Sequence, residues 1–332
     1  METARRKAFE FLKRCRMDHG EIDFEACSDI FIEEMQRGLK GLESSLKMIP
    51  TYIEVERDIP YDRPVVVLDA GGTNFRVASV YFKRNGRPVI EKFQILKMPG
   101  VDEHISKDKF FKRIAGYVSS YLDESDRIGF CFSYPIEIQP DKDGILVQFS
   151  KEIKANEVIG ERIGDNLLSA IRAEGCREKK HIVLLNDTVA TLLAGRSAFK
   201  DRFFDSYVGF ILGTGTNCCY IEKNKNISKK KDLEEDKYQI INVESGGFNR
   251  QPRGSVDVEM DSSTVDPGEY TFEKMVSGAY LGMLCLSTVK SAAACGLFSG
   301  SVNEKLNSIS ILDTKSVNDF MIFPSGGKNP LA

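Results

Sequence analysis

Two glycine-rich segments carry residues whose types and spacing could bind phosphate. They are Asp69-Ala-Gly-Gly-Thr-Asn-Phe-Arg76 and Gly213-Thr-Gly-Thr-Asn217, and each follows an apolar run typical of a buried strand. Adjacent glycines such as Gly71 and Gly72 let the backbone turn tightly and leave N–H groups for phosphate oxygens. The first segment lacks the GK[ST] ending of a P-loop, so a strand–turn–strand hairpin is predicted. One such hairpin is also compatible with a plain turn, whereas two of them indicate a bound nucleotide.

Polar side chains of the first segment extend the same chemistry. Thr73 and Asn74 can add hydrogen bonds, and Arg76 can add positive charge. Asp69 ends a buried strand, where its carboxylate could hold Mg²⁺ through water, because Mg²⁺ keeps part of its hydration shell. The predicted ligands are therefore phosphate groups and a hydrated magnesium ion.

A carboxylate that could act as a base follows another buried strand. In Leu184-Leu-Asn-Asp-Thr188, Asp187 lies after the strand and at the start of a predicted helix, at the edge where ligands of open α/β sheets gather. An ionised Asp there can accept the proton of a substrate hydroxyl during phosphoryl transfer. Asp is also a favoured helix N-cap, so these residues alone leave both roles open.

The elements that must position these residues alternate between strands and helices. Apolar spacing predicts helices over 28–47, 110–122, 158–172, 187–198 and 272–294. Short β-branched and apolar runs predict strands over 65–68, 75–82, 89–96, 127–132, 181–185, 207–212 and 218–222. A charged surface loop is predicted over 223–236. This order of elements is typical of an α/β protein.

Composition argues against several other classes. The 332 residues are 42% hydrophobic and 29% charged, with a formal net charge of −3, which gives no electrostatic reason to expect nucleic acid or a membrane surface as a partner. No apolar run reaches the roughly 20 residues that cross a bilayer, and the charged N-terminus lacks a secretory pattern. A cytoplasmic protein is therefore expected. The eight cysteines and three histidines show no metal-ligand spacing.

Taken together, these segments resemble the motifs of the hexokinase family. Residues 68–77 resemble its first phosphate motif, and 213–217 followed by Cys219-Tyr220 resemble its second. The other matched segments are Met48-Ile-Pro-Thr-Tyr52 for the entry segment, Phe132-Ser-Tyr-Pro135 for FSFP, Asn186-Asp-Thr-Val-Ala-Thr191 for NDTVAT and 272–282 for FEKMISGMYLG. The matches occur in family order across nearly the whole chain, so chance agreement is excluded.

The resemblance implies a role for each matched residue. Asp187 is expected to be the catalytic base. The hexose hydroxyls are expected to bind Ser133, Ser150, Lys151, Asn186, Asp187, Asn217, Glu244 and Glu273. The ATP phosphates with their Mg²⁺ are expected to bind Asp69, Gly71, Gly72, Thr73, Asn74, Arg76, Gly213 and Thr214. Asp69 is expected to hold the magnesium ion, through water.

An architecture is implied as well. It is the two-lobed actin-like ATPase fold, of ribonuclease H-like type, with the sugar in a central cleft between the lobes. We expect a helical segment over 1–60 that packs on the large lobe, a small lobe over 61–187 and a large lobe over 188–332. The family normally continues beyond this point with an adenosine-binding segment, so the large lobe is expected to be incomplete and turnover by the chain as it stands to be low.

The predicted activity is transfer of the γ-phosphate of ATP to the 6-hydroxyl of glucose or a related hexose. Two departures from the family bear on sugar preference: Phe149-Ser-Lys-Glu-Ile153 replaces WTKGF, and Asn242-Val-Glu-Ser-Gly246 replaces NTEWG. They leave open an alternative, a catalytically weak or inactive sugar sensor on the same scaffold. Another actin-like ATPase, such as a chaperone lobe, is disfavoured by the sugar-type segments. The preferred hexose and the oligomeric state stay open.

Overall fold

The protein is described here from a computed structural model that covers residues 2–54, 60–149, 153–198, 202, 204–325, 327 and 329–332. Its strands are β1 Ile49–Pro50, β2 Val65–Ala70, β3 Asn74–Phe82, β4 Pro88–Lys97, β5 Arg127–Phe132, β6 Ile136–Ile138, β7 Gly144–Leu146, β8 His181–Leu185, β9 Val208–Leu212, β10 Thr216–Lys223 and β11 Tyr238–Asn242. Its helices are α1 Glu2–Arg14, α2 Phe24–Lys40, α3 Lys107–Val118, α4 Ile163–Ala173, α5 Asp187–Ala198, α6 Ser255–Ser262, α7 Thr271–Val276, α8 Leu281–Ala294, α9 Gly300–Ser308 and α10 Thr314–Ile322. The predicted α/β class is confirmed.

The chain divides into two compact units, which are described separately. The helical unit comprises Met1–Met48, Ile211–Asn217 and Val243–Ala332, and the sheet unit comprises Ile49–Phe210 and Cys218–Asn242. The sequence predicted a different kind of division: a small lobe over 61–187 and a large lobe over 188–332, with the segment 1–60 packing on the large lobe. That division into functional lobes stays a prediction.

The sheet unit is built on a five-stranded sheet with the order β4-β3-β2-β5-β8. Strands β2, β5 and β8 are parallel, and their register places Asp69 opposite Cys131 and Cys131 opposite Leu185. Because parallel strands end at the same edge of a sheet, the residues that follow β5 and β8 share that edge with the end of β2. Helices α3 and α4 cover the sheet with buried side chains such as Phe110, Ile114 and Leu167, so the edge is held by a packed core.

The helical unit contains most of the described helices and a smaller core. Phe11, Val256, Met260 and Leu284 pack together there. Helix α2 shows why such segments start and stop where they do: the Asp23 carboxylate accepts a hydrogen bond from the Ala26 N–H at its start. Its final residue is followed by Gly41 at φ 72°, a left-handed conformation that glycine adopts without strain. None of the helices described is both long and apolar enough to span a membrane.

The single helix predicted over 272–294 is wrong. Helix α7 ends at Val276 and α8 begins at Leu281. Between them the Gly278 N–H donates to the Gly213 carbonyl at 2.7 Å, and the Ala279 N–H donates to the Thr214 carbonyl at 3.0 Å. A Cβ atom on Gly278 would lie 2.8 Å from that Gly213 oxygen. Apolar residues at helical spacing continue through this stretch, but its backbone hydrogen-bonds to the second glycine hairpin.

Candidate active site

The carboxyl edge of the five-stranded sheet gathers two of the predicted carboxylates around one thiol. Cys131 is near the end of β5, beside Asp69 on β2. Burial raises the pKa of the Cys131 thiol to about 12, and the negative charges of Asp69 and Asp187 add to the shift. The charges of both carboxylates therefore act on the same sulfur atom, and a phosphoryl-transfer site at this edge stays a prediction.

Asp187 begins helix α5 with only part of its carboxylate engaged. Its Oδ1 accepts hydrogen bonds from the Thr188 N–H at 2.8 Å and from the Thr188 hydroxyl at 3.3 Å. The same N–H also donates to Asn186 Oδ1 at 2.9 Å, so Asn186 supplies a cap to the helix by itself. Within the described part of the chain no hydrogen bond reaches Asp187 Oδ2, which leaves that oxygen able to accept a proton.

The first glycine hairpin turns its amides and its carbonyls in different directions. The Gly71 N–H closes the turn on the Asn74 carbonyl at 3.2 Å, and the Thr73 carbonyl accepts from the Met98 N–H at 3.0 Å. The Gly72 and Thr73 N–H groups donate to no other residue that the structure describes. Two adjacent unengaged amides can bind an anion, and phosphate binding at this turn stays a prediction.

Asp69 and Arg76 form an ion pair beneath this hairpin. Arg76 Nη1 lies 2.6 Å from Asp69 Oδ2, and both side chains are partly exposed. The pair holds the guanidinium beside the turn. Among the described residues, no three His, Cys, Asp or Glu side chains cluster as a metal site, so magnesium binding by Asp69 through water stays a prediction.

The first glycine of each hairpin has open space where a side chain would lie. Gly213 could accept a Cβ atom with nothing within 4 Å, and at Gly71 the nearest neighbour would be Arg76 Nη1 at 3.6 Å. Neither residue has a positive φ. Since neither backbone strain nor internal packing demands glycine at these two positions, the open space beside them fits a ligand that approaches the backbone closely, as a phosphate does.

The helical unit brings together three of the predicted sugar ligands. Asn217 Nδ2 donates to Glu244 Oε1 at 3.2 Å, and Asn217 Oδ1 accepts from the Ser245 N–H at 3.2 Å. Glu273 Oε2 accepts from the N–H of Thr216 at 2.8 Å. These side chains are half-buried, and they present carboxylate acceptors and an amide, the groups that pair with sugar hydroxyls.

The backbone around Glu273 is shaped for that carboxylate. A Cβ atom on Gly215 would lie 2.5 Å from Glu273 Oε2, and one on Gly246 would lie 3.2 Å from it. Glycine at position 215 therefore leaves room for the carboxylate, whereas glycine at position 246 is required chiefly by the Thr216 carbonyl oxygen, which would lie 2.9 Å from a Cβ atom there. Glu244 itself has φ 60°, a left-handed conformation that is uncommon for a residue with a side chain.

Sequence reasoning missed the residue that anchors α7. Lys274 follows Glu273 and is 1% exposed. Its Nζ lies 2.8 Å from Asp261 Oδ1 and 2.9 Å from Asp266 Oδ1, and Arg253 Nη2 lies 2.7 Å from Asp261 Oδ2. A lysine within an otherwise apolar helical pattern was the available signal, but its partners could be found only from the fold.

The remaining predicted ligands divide between described and undescribed positions. Ser133 follows β5, and its N–H donates to the Ala70 carbonyl at 3.2 Å, which places it at the same sheet edge as Asp69. Ser150 and Lys151, with Glu152 of the same WTKGF-like segment, lie outside the described residues. Their expected contacts with the sugar stay predictions.

Cys131 gives a test of the electrostatics at this edge. At pH 8 a thiol with a pKa of about 12 is ionised in only about one molecule in 10⁴, and the thiolate is the reactive form. Cys131 should therefore be alkylated by iodoacetamide far more slowly than the exposed Cys295. Pulse alkylation followed by peptide mass spectrometry measures both rates. Equal rates in the folded protein would contradict a half-buried thiol whose pKa is raised by burial and by the charges of Asp69 and Asp187.

Comparison with known proteins identifies the family. Two family models, each described as hexokinase, match residues 7–197 and 207–325. Hexokinase-1 of Schizosaccharomyces pombe is 32% identical over 311 residues, which cover 90% of this chain and 63% of that protein. Glucokinase-1 of Kluyveromyces lactis is 30% identical over 331 residues, covering 89% and 68%. The structure of a hexokinase from Schistosoma mansoni complexed with glucose superimposes with a TM-score of 0.77 at 29% identity, covering 97% of this chain and 74% of that one.

The fold, the two glycine hairpins and the strand-end carboxylate define an α/β protein of the actin-like ATPase class. Within that class, the chain belongs to the hexokinase family. It spans less than two thirds of the length of the S. pombe relative and about a third of the rat hexokinase-2 that it also matches.

Proposed function

We propose that this chain transfers the γ-phosphate of MgATP to the 6-hydroxyl of glucose or a related hexose. The sugar O6 forms a bond to the γ-phosphorus while the bond from that phosphorus to the bridging oxygen of ADP breaks. The proton of the hydroxyl passes to Asp187. The products are the hexose 6-phosphate and MgADP, so atoms and charge balance without any further reactant.

The observation that carries this proposal is the geometry of Asp187. Its helix is capped by Asn186 as well, and the described residues send no hydrogen bond to Oδ2. If Asp187 served only to cap the helix, the cap that Asn186 supplies would make it redundant. A base needs an oxygen that can accept a proton, and Oδ2 is such an oxygen.

Sugar recognition is assigned to Asn217, Glu244 and Glu273, with Ser133 and Asn186 at the sheet edge. Carboxylates accept hydrogen bonds from hydroxyls, whereas the Asn amide can both donate and accept. A site of this kind rejects molecules that lack the matching hydroxyls, because its buried polar groups would stay unpaired. The relative from S. mansoni was crystallised with glucose, which supports glucose as the first sugar to test.

Phosphate binding is assigned to the hairpins at Gly71–Gly72 and Gly213–Thr214. Unengaged amides and the Arg76 guanidinium stabilise negative charge that moves onto the transferring group and ADP. The magnesium ion arrives with ATP and neutralises part of the phosphate charge. We assign to Asp69 the role of holding one of its water molecules.

Glucose calorimetry tests the sugar assignment. Glu273→Gln keeps the size of the side chain but removes its charge, so the accepted hydrogen bond from Thr216 weakens and the contact with sugar is lost in part. We expect glucose affinity to fall about tenfold or more, since hydrogen bonds to charged groups contribute about 1.5–3 kcal/mol. Glu222→Gln, at a carboxylate of β10 that accepts from the Tyr220 hydroxyl, is the control. Equal glucose affinity in the wild type and Glu273→Gln would remove Glu273 from the site.

Glu244→Gly separates function from stability at the second carboxylate. The left-handed backbone conformation at φ 60° costs an L-residue about 1–2 kcal/mol, and glycine adopts it without this strain. The free energy of unfolding should therefore stay the same or rise. Glucose affinity should nevertheless fall at least tenfold, because the carboxylate is gone. Thermal unfolding and calorimetry on one preparation measure both quantities.

Lys142→Gly is the matched control for this change. Lys142 has φ 68° in the turn between β6 and β7, so glycine relieves the same conformation there. It should stabilise the protein to a similar extent and leave glucose affinity unchanged. If Glu244→Gly behaves in the same way as Lys142→Gly in both measurements, Glu244 has no role in sugar binding.

A further inference from the structure

The two glycine hairpins share a feature that their sequences do not show. In each, two successive carbonyl oxygens accept hydrogen bonds from another part of the same unit. At the second hairpin these are the Gly213 and Thr214 carbonyls, and the donors are the N–H groups of Gly278 and Ala279. At the first hairpin they are the Gly71 and Gly72 carbonyls, and the donor to both is the hydroxyl of Tyr134, at 3.1 and 3.2 Å.

Peptide geometry gives these contacts a consequence. In a planar trans peptide the C=O and the following N–H point in opposite directions. Holding the Gly71 carbonyl toward Tyr134 therefore turns the Gly72 N–H away from it, and holding the Gly72 carbonyl does the same for the Thr73 N–H. These are the two amides that donate to no other described residue. Because glycine rotates freely in φ and ψ, nothing intrinsic to Gly71-Gly72 would keep the peptides in this orientation.

The hydroxyl of Tyr134 is rigidly placed. The residue is 2% exposed, and its ring packs against Phe132 at 5.0 Å and against Phe149 at 5.1 Å between centroids. Burial and then the charge of Asp69 raise the pKa of Tyr134, so the hydroxyl keeps its proton and remains a donor. One proton shared by two carbonyls is a three-centre hydrogen bond, which holds both peptides with a single atom.

We propose that Tyr134 is a positioning residue for phosphate binding: its hydroxyl fixes the Gly71 and Gly72 carbonyls and thereby presents the Gly72 and Thr73 amides to the phosphates of MgATP. The proposal rests on the proposed function for its ligand. Tyr134 also directly follows Ser133, the residue assigned to the sugar. The side chain that orients the phosphate hairpin is thus covalently adjacent to a sugar contact, within one segment of the sheet unit.

Tyr134→Phe tests the proposal by removing the hydroxyl alone. Tyr121→Phe is the matched control, since Tyr121 is also fully buried in the same core and its hydroxyl donates to the Lys92 carbonyl, away from the hairpin. Both variants lose one buried hydrogen bond, so both should be slightly less stable. Only Tyr134→Phe should accelerate hydrogen exchange in the ligand-free segment 70–76 and weaken MgATP and magnesium tripolyphosphate binding, by about threefold to tenfold. Glucose affinity should stay the same in both variants.

Hydrogen exchange and calorimetry together distinguish the results that would overturn the proposal for Tyr134. Unchanged exchange over 70–76 in Tyr134→Phe overturns the proposal, and so does unchanged affinity for both phosphate probes where the wild type binds them. An equal loss of affinity in Tyr121→Phe overturns it as well, because the effect would then be general loosening of the core. If the wild type binds neither probe, the proposed function fails, and exchange in the ligand-free protein still decides whether Tyr134 fixes the hairpin.

Discussion

Asp187→Asn should lower kcat for hexose phosphorylation by about 10²–10⁴, because a general base contributes that much to a proton-transfer step. At 1.36 kcal/mol per decade this is about 3–5.5 kcal/mol of the activation barrier. Glucose affinity should change far less, since the amide oxygen of Asn can still accept a hydrogen bond from the sugar hydroxyl. A coupled assay for ADP release, with glucose calorimetry on the same protein, measures the two effects.

Helix capping cannot produce the same result. Asn186 Oδ1 already accepts from the Thr188 N–H, and Asn caps a helix about as well as Asp, so Asp187→Asn should leave the fold and its stability intact. Asp23→Asn is the control for the cap: Asp23 accepts from the Ala26 N–H at 3.0 Å at the start of α2. Its activity and stability should both match the wild type. A kcat near wild type in Asp187→Asn, with unfolding unchanged, would reject Asp187 as the base.

Lys274→Met should destabilise the protein by about 3–5 kcal/mol, which is the usual effect of removing one partner from a buried ion pair. The Lys274 ammonium lies within hydrogen-bonding distance of Asp261, Asp266 and Thr264. Met fills a similar volume, so the loss comes from the Asp261 and Asp266 carboxylates that remain without their cation. Urea unfolding measures the difference. Glucose affinity should fall too, because Lys274 anchors the helix that carries Glu273.

Lys315→Met is the control with the same chemical change. Lys315 pairs with Asp319 at the surface, where the two side chains are 82% and 47% exposed, and an exposed pair of this kind contributes little to stability. A similar loss of stability in the two variants would show that burial does not govern the strength of the Lys274 pair.

The pH dependence of the Lys274 effect follows from its partners. Burial by itself lowers the pKa of Lys274, but hydrogen bonds to Asp261 and Asp266 outweigh it and the net pKa is raised. Burial raises the pKa of Asp261, and hydrogen bonds from Lys274 and Arg253 outweigh it and lower the pKa. At pH 7 both groups are charged and the stabilisation is complete. The difference between wild type and Lys274→Met should therefore shrink below about pH 4, where Asp261 approaches protonation.

Local sequence patterns were sufficient to predict the strands and the helix that form the carboxyl edge of the five-stranded sheet. The strands over 127–132 and 181–185 and the helix over 187–198 coincide with β5, β8 and α5, because short apolar runs and the Asn-Asp-Thr start define them without help from the fold. The helix predicted over 158–172 begins later, at Ile163, since Gly160 has φ 82°. Strand β11, Tyr238–Asn242, was missed because it follows a charged loop and is short.

Contacts between distant residues could not be read from the sequence. Tyr134 reaches the Gly71 and Gly72 carbonyls across 63 and 62 residues, and no local pattern links a tyrosine to a turn so far away. Lys274 donates a hydrogen bond to Asp261, which lies 13 residues earlier in the chain, before an irregular loop. The break between α7 and α8 exists only because the backbone there pairs with the second hairpin. Sequence motifs were therefore enough to identify the candidate site residues, whereas the residues that orient them could be found only from the fold.

Direct detection of phosphoryl transfer is the most stringent test of the proposed hexose kinase activity. The protein, in molar excess over ATP labelled at the γ-phosphate, is mixed with Mg²⁺ and saturating glucose, and labelled hexose 6-phosphate is followed with time, so that even slow transfer is detected. Glucose-dependent transfer is expected in the wild type, slowed at least about 100-fold in Asp187→Asn. Glucose binding without any transfer from ATP would contradict this expectation and would instead identify a sugar sensor on a hexokinase scaffold.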